Sequence, residues 1–298
     1  MDRSSGLKAG PAYSINADER TEGVMNQPSR PRSRYLSLVS LFGLILLLSA
    51  CARGTSQRGT VVAGSTSVQP FADHWAELYM REKPGRVVNV QGGGSSAGIQ
   101  AAREGAAEIG MSSRELKPDE KDLLEVIVAW DGLAVIVHPG NPVGALTLEL
   151  VQNIFAGNIT DWEILGGPRH PITVVTREEG SGTRGAFQEM VMKKTRIART
   201  AIVEDSNGTV REIVASDPQS IGYISLGLVN DKVKALRLDG VEASFENIAN
   251  KSYRLIRPFL FVTKGRPKPA AQDFIDFVLS RTGQEMVRRD GLIPVLKE

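Results

Sequence analysis

Three short turns of glycine and hydroxyl residues constrain this chain more than any other feature. They are Gly64-Ser65-Thr66-Ser67, Gly92-Gly93-Gly94-Ser95-Ser96 and Gly180-Ser181-Gly182-Thr183. Each closes a short strand-like run (60–63, 87–90 and 172–176) and opens a helix-like one. Further strands are predicted over 108–111, 127–137, 221–224 and 258–263. Val68, Phe71, Trp75, Leu78 and Tyr79 recur at helical spacing and predict an amphipathic helix ending near Pro84-Gly85. Helices are also predicted over 97–103, from the cap Thr147 to 155, over 181–192 and over 270–279. Strand, turn and helix in this order argue for an α/β fold with a mostly parallel sheet flanked by helices. Trp75 and Tyr79 read as core, whereas Trp130 fits a core or a cleft wall equally well.

The turns also carry chemistry. Glycine lets the backbone approach a ligand and adopt positive φ. Free N–H groups at a helix start, with Ser and Thr hydroxyls beside them, make a neutral, donor-rich anion site. One such turn is ordinary helix capping. Three at the carboxyl ends of strands lie where open α/β sheets bind ligands. Arg177 stands four residues before Ser181, with Glu178 and Glu179 between. A guanidinium can grip two oxygens of a tetrahedral anion while a carboxylate holds its plane, although the spacing also fits a plain surface Arg–Glu pair.

Two other patterns compete. Gly94-Ser95-Ser96-Ala97-Gly98 matches the nucleophile elbow of a secreted serine hydrolase that would use Ser96. The triad would need a late histidine, and His138 and His170 instead sit mid-chain beside prolines. Gly180 to Gly185 matches G-x-G-x-x-G, with Glu204 beyond it, but the mid-chain position and Arg177 favour a small anion over a dinucleotide. The three histidines share no metal-ligand spacing, so no metal and no cofactor is expected. Lys193-Lys194-Thr195-Arg196 lacks interleaved aromatics, which argues against a nucleic-acid partner.

The start of the chain has a separate role. Arg30, Arg32 and Arg34 precede an apolar run over 35–48, which ends in Leu48-Ser49-Ala50-Cys51. A positive flank, a short apolar stretch and a small-residue end make a secretory signal. Leu48-Ser49-Ala50-Cys51 resembles the lipobox of bacterial lipoproteins, which implies lipid on Cys51, the chain's single cysteine. Met25 would start a leader of ordinary length. Residues 1–50 then form the leader and 51–58 a tether. The formal charge of +2 over 298 residues belongs to that leader. Without its six basic and four acidic residues, 30 of each sign remain. The body is neutral, and its composition (41% apolar, 23% charged) is globular.

Several ordered blocks together carry a family resemblance over roughly 59–298. They are the first two turns, Ile109-Gly110-Met111-Ser112-Ser113-Arg114, the segment from Ile154 to Trp162 that contains Asn158-Ile159-Thr160-Asp161, Thr176-Arg177-Glu178-Glu179 running into the third turn, and Ile221-Gly222-Tyr223. The chain resembles the phosphate-binding proteins of ABC-type phosphate transporters, in the short lipoprotein form. That resemblance implies a two-lobe type II periplasmic binding protein fold, with ligand in the interlobe cleft. Lobe I would take 59–138 plus 257–298 and lobe II 139–256, with crossings near 137–141 and 256–263 and C-terminal helices returning to lobe I. It further implies that Ser65, Thr66, Ser67, Ser95, Ser113, Arg177, Ser181, Gly182 and Thr183 bind phosphate. Glu179 would orient Arg177, and Arg114 would support the site. Where better-known members carry an aspartate that accepts the ligand's proton, this chain has Ser113. A hydroxyl donates as readily as it accepts, so rejection of other tetrahedral oxyanions, sulfate among them, is weakened. Asp131 is the expected replacement acceptor. The implied role is that of an extracytoplasmic, lipid-anchored monomer that performs no chemistry and hands phosphate to an ABC permease, or acts as a phosphate sensor.

Overall fold

The computed structural model describes residues 59–295. The leader, Met25, Cys51 and the tether lie outside the described residues. The first part of the chain supplies β1 (Thr60–Gly64), α1 (Gln69–Glu82), β2 (Val88–Gln91), α2 (Ser95–Glu104), β3 (Ile109–Ser112) and the long β4 (Leu124–Val137). The middle supplies β5 (Ala145–Leu146), α3 (Leu148–Phe155), β6 (Thr173–Arg177), α4 (Gly182–Phe187), β7 (Ile202–Glu204), α5 (Asn207–Ser216), β8 (Ser220–Ser225), β9 (Lys234–Ala235), β10 (Arg237–Leu238) and α6 (Phe245–Ala249). The end supplies β11 (Ile256–Thr263), α7 (Pro269–Leu279) and α8 (Arg281–Arg289).

One sheet runs through both lobes in the order β2-β1-β3-β11-β4-β8-β6-β7, with β9 on β4. Its outer parts are parallel: β1 with β2 and β3, and β6 with β7 and β8. The centre is antiparallel, β11 lying between β3 and β4, and β4 against β8. Parallel neighbours need crossover helices, and these cover the faces as the strand–turn–helix order requires.

Two apolar cores flank the centre. The first packs Phe71, Trp75 and Tyr79 of α1 against Val62, Met111, Phe259 and Phe261, and against Phe274, Val278 and Val287 of the C-terminal helices. Tyr79 meets Phe274 edge-on at 5.4 Å between ring centroids. The second gathers Leu133, Val135, Val137, Phe155, Trp162, Phe187 and Tyr223. Phe187 stacks on Tyr223 at 4.0 Å, which ties α4 to the sheet and contributes about 1 kcal/mol beyond its burial, the size of one aromatic pair.

The boundary between lobes falls earlier than expected. Residues 124–132 of β4 pair with β11, and 133–137 pair with β8. The crossing therefore lies at Gly132/Leu133, not near 137–141. The apolar run continues unbroken, so the strand changes partners without a turn, and Leu133, Val135 and Val137 belong to the second core. α2 also begins two residues ahead of its periodicity, at Ser95, because Gly94 at φ 89 turns the chain straight into the helix.

Candidate functional site

The carboxyl ends of β1, β3 and β6 and the amino ends of α2, α4 and α5 converge between the lobes. Ser65 and Ser67 follow β1, Ser95 opens α2, Ser113 follows β3, and Thr183 lies in the first turn of α4; all are buried. Ser65 Oγ donates to Ser113 Oγ at 2.9 Å, and Ser113 N–H donates to Ser95 Oγ at 3.1 Å. Ser67 Oγ and Thr183 Oγ1 meet at 2.6 Å across the cleft. Gly182 is dictated by space, since a Cβ there would lie 2.2 Å from Ser95 Oγ and 2.6 Å from Ser113 Oγ. Ser181 caps α4 by accepting from Arg184 N–H at 3.2 Å. A further interlobe bond runs from Ser96 N–H to the Gly180 carbonyl at 3.0 Å.

Arg177 ends β6 and is 1% exposed. Its main chain is pinned from both sides, its N–H donating to Tyr223 Oη at 3.4 Å and its carbonyl accepting from Arg184 Nη1 at 2.6 Å. Nε donates to Glu178 Oε2 at 3.0 Å and to the Glu204 carbonyl at 3.2 Å. Nη2 donates to Glu178 Oε1 at 3.1 Å, the Asp205 carbonyl at 2.9 Å and Thr66 Oγ1 at 3.1 Å. Nη1 is buried and has no hydrogen-bond partner among the described residues. The carboxylate that orients Arg177 is thus Glu178 and not Glu179. The chain turns immediately after Glu178, which folds its side chain back along the guanidinium and leaves Glu179 exposed.

Asp131 and Arg114 also differ from expectation. Asp131 sits on β4 directly opposite Arg257 of β11. Its Oδ2 accepts from Arg257 Nε at 3.0 Å and lies 2.9 Å from Nη2, while Oδ1 accepts from Ser225 Oγ at 2.8 Å. Both oxygens are occupied, so Asp131 serves as the counter-ion of a second buried arginine instead of an acceptor facing the cleft. Burial pushes the Asp131 carboxyl up from its ordinary value and the Arg257 guanidinium down, each opposed by the other's charge. Arg114 turns its fork to Glu120, at 2.7 and 2.8 Å, and donates to Ser96 Oγ at 3.2 Å. It braces the loop behind α2. Among the described residues Ser96 Oγ bonds to Arg114 and to no histidine; His74 meets Asp290, and His138 accepts from Gly140 N–H.

Two residues of the cluster escaped the sequence reading. Arg257 reaches Ser67 Oγ at 3.2 Å and the Ser113 carbonyl at 3.3 Å. Asn207, in the first turn of α5, donates to Ser67 Oγ at 2.9 Å. The available signals were a lone charge in the apolar run 256–262 and the cap-like Ser206-Asn207-Gly208.

These features have counterparts in known proteins. A family model described as a PBP superfamily domain matches residues 49–282. The phosphate-binding protein PstS of Bacillus subtilis is 37% identical over 240 residues, covering 78% of this chain and 80% of that protein. A Clostridium perfringens protein solved with bound phosphate is 45% identical, with a TM-score of 0.78 over 80% of this chain and all of the other. An ABC-type phosphate transport receptor from Vibrio cholerae is 37% identical, with a TM-score of 0.66 over 78% of this chain and 98% of the other. The chain belongs to the phosphate-binding-protein family of the PBP superfamily.

Proposed function

We propose that this protein captures inorganic phosphate between its lobes and delivers it to an ABC permease from the extracytoplasmic side of a bacterial membrane, held there as a monomer by lipid on Cys51. The observation that carries the reading is Arg177 Nη1, a buried guanidinium nitrogen without a hydrogen-bond partner among the described residues. A buried donor of this kind is costly unless an acceptor completes it. An anion oxygen placed among Arg177, Ser67, Ser95 and Thr183 would do so, surrounded by preorganised donors that replace its water. The names of the relatives, phosphate-binding protein and phosphate transport receptor, point to the same ligand.

Calorimetric titration of ligand-stripped protein with phosphate tests this directly. The wild type should bind one phosphate per chain, and Arg177→Met should lose affinity by about 100-fold or more, the weight of a charge-assisted pair of bonds. Absence of saturable binding by the wild type would sink the reading. The anchor rests on Leu48-Ser49-Ala50-Cys51. Cys51→Ser should move the protein from the membrane fraction to the soluble one.

A further inference from the structure

The direction of each hydroxyl in the cleft follows from counting its lone pairs. A serine hydroxyl has one proton and two acceptor sites. Ser67 Oγ accepts from Asn207 Nδ2 at 2.9 Å and from Arg257 Nη2 at 3.2 Å. The Asn207 amide cannot be turned around, because its Oδ1 accepts from Ser225 N–H at 3.2 Å. Arg257 has no acceptor to offer, and Asp131 holds it by two nitrogens. Both lone pairs of Ser67 are therefore filled, and its own proton is directed across the cleft to Thr183 Oγ1. Ser65 behaves alike, accepting from Ser67 N–H at 3.2 Å and Val68 N–H at 3.4 Å, so that its proton goes to Ser113 Oγ. Ser95 Oγ already accepts from Ser113 N–H.

The carboxylates that pair with the two buried arginines of the cluster are both committed, Glu178 to Arg177 and Asp131 to Arg257. Among the described residues, none of the hydroxyls of Ser65, Ser67, Ser95, Ser113 and Thr183 meets a carboxylate that could receive a ligand's proton or repel a ligand that lacks one.

We propose that Arg257, held by Asp131 and acting with Asn207, is a positioning residue that locks Ser67 as a donor, and that the resulting donor-only cleft takes proton-free tetrahedral dianions such as sulfate alongside phosphate. This rests on the phosphate reading above and specifies its ligand class. A monohydrogen phosphate has to place its proton on whatever acceptor capacity Ser113 or Thr183 retains, whereas sulfate has no proton to place.

The test is titration of the ligand-stripped protein with phosphate and with sulfate at matched ionic strength. Sulfate affinity within about 30-fold of phosphate is expected, a gap of about one hydrogen bond. Phosphate binding with sulfate weaker than that overturns the donor-only cleft while the phosphate reading stands. No binding of either anion overturns both. The lock is read from the neutral pair Asp131→Asn with Arg257→Met, which leaves no buried charge unpaired and removes the donor to Ser67, and from Arg257→Lys, which still donates. The double variant should shift the affinity ratio toward phosphate by about tenfold or more, because it frees a lone pair on Ser67. Arg257→Lys should keep the wild-type ratio. An unchanged ratio in a double variant that melts as the wild type does overturns the role of Arg257, and the wild-type titration decides the donor-only cleft even where a variant does not fold.

Discussion

Gly182 shows how a single atom sets the closed cleft. A β-carbon at that position would come within 2.2 Å of Ser95 Oγ on the opposite lobe. Gly182→Ala should therefore weaken phosphate binding by about 100-fold, through lost closure, while lowering the melting temperature little, since the residue sits in neither apolar core. Calorimetry and thermal denaturation of the same sample check both halves of that expectation. At this scale the sequence is legible where a functional residue stands beside its own structural signal. Ser67, Ser95, Gly182 and Arg177 all lie in or next to glycine turns that must adopt unusual backbone or admit close approach. Arg257 and Asn207 carry only the weaker marks of a lone charge in an apolar run and a cap-like Ser206-Asn207-Gly208. They reach Ser67 from 190 and 140 residues away, and that proximity exists only after the chain has crossed between lobes. Glu178 and Glu179 are chemically equal in sequence, and only the turn after Glu178 separates them.

The segment between β3 and β4 depends on one ion pair. Arg114 and Glu120 are both buried, and Glu120 also accepts from Lys117 N–H at 2.8 Å. Burial pushes the Glu120 carboxyl up, but the Arg114 fork and the Lys117 amide outweigh it and hold the carboxyl below its ordinary value. A depressed carboxylate contributes stability that is present above its unfolded value and lost as pH falls through the folded one. Glu120→Gln should thus destabilise the protein by about 3 kcal/mol at neutral pH. The difference in melting temperature from wild type should shrink as pH drops below the ordinary carboxylate range, and a constant difference would rule out the ionic contribution. Periodicity located most elements because their apolar stripes are strong. It missed short pieces such as β7 and β10, which are too brief to show a period, the helices α5 and α8, in which polar residues outnumber apolar ones, and the start of α2, where the hydroxyls of Ser95 and Ser96 mask helical residues as a loop.

For the whole molecule, the two-lobe arrangement followed from the order of strand, turn and helix together with the family resemblance, but the place of the crossing did not. An unbroken apolar run says that a strand is buried and not which neighbours it has along its length. β4 keeps the same chemistry from one core to the other, so only the pairing shows that it serves both. Its residues 124–132 complete the sheet of one lobe and 133–137 that of the other. Neither lobe owns a full sheet without it, and melting one would strip the neighbour of a central strand. The protein should for this reason unfold as a single cooperative unit, with calorimetric and van't Hoff enthalpies that agree, and two resolved transitions would contradict the shared strand. A molecule with its ligand cleft between two halves is thus denied the freedom to lose one half at a time.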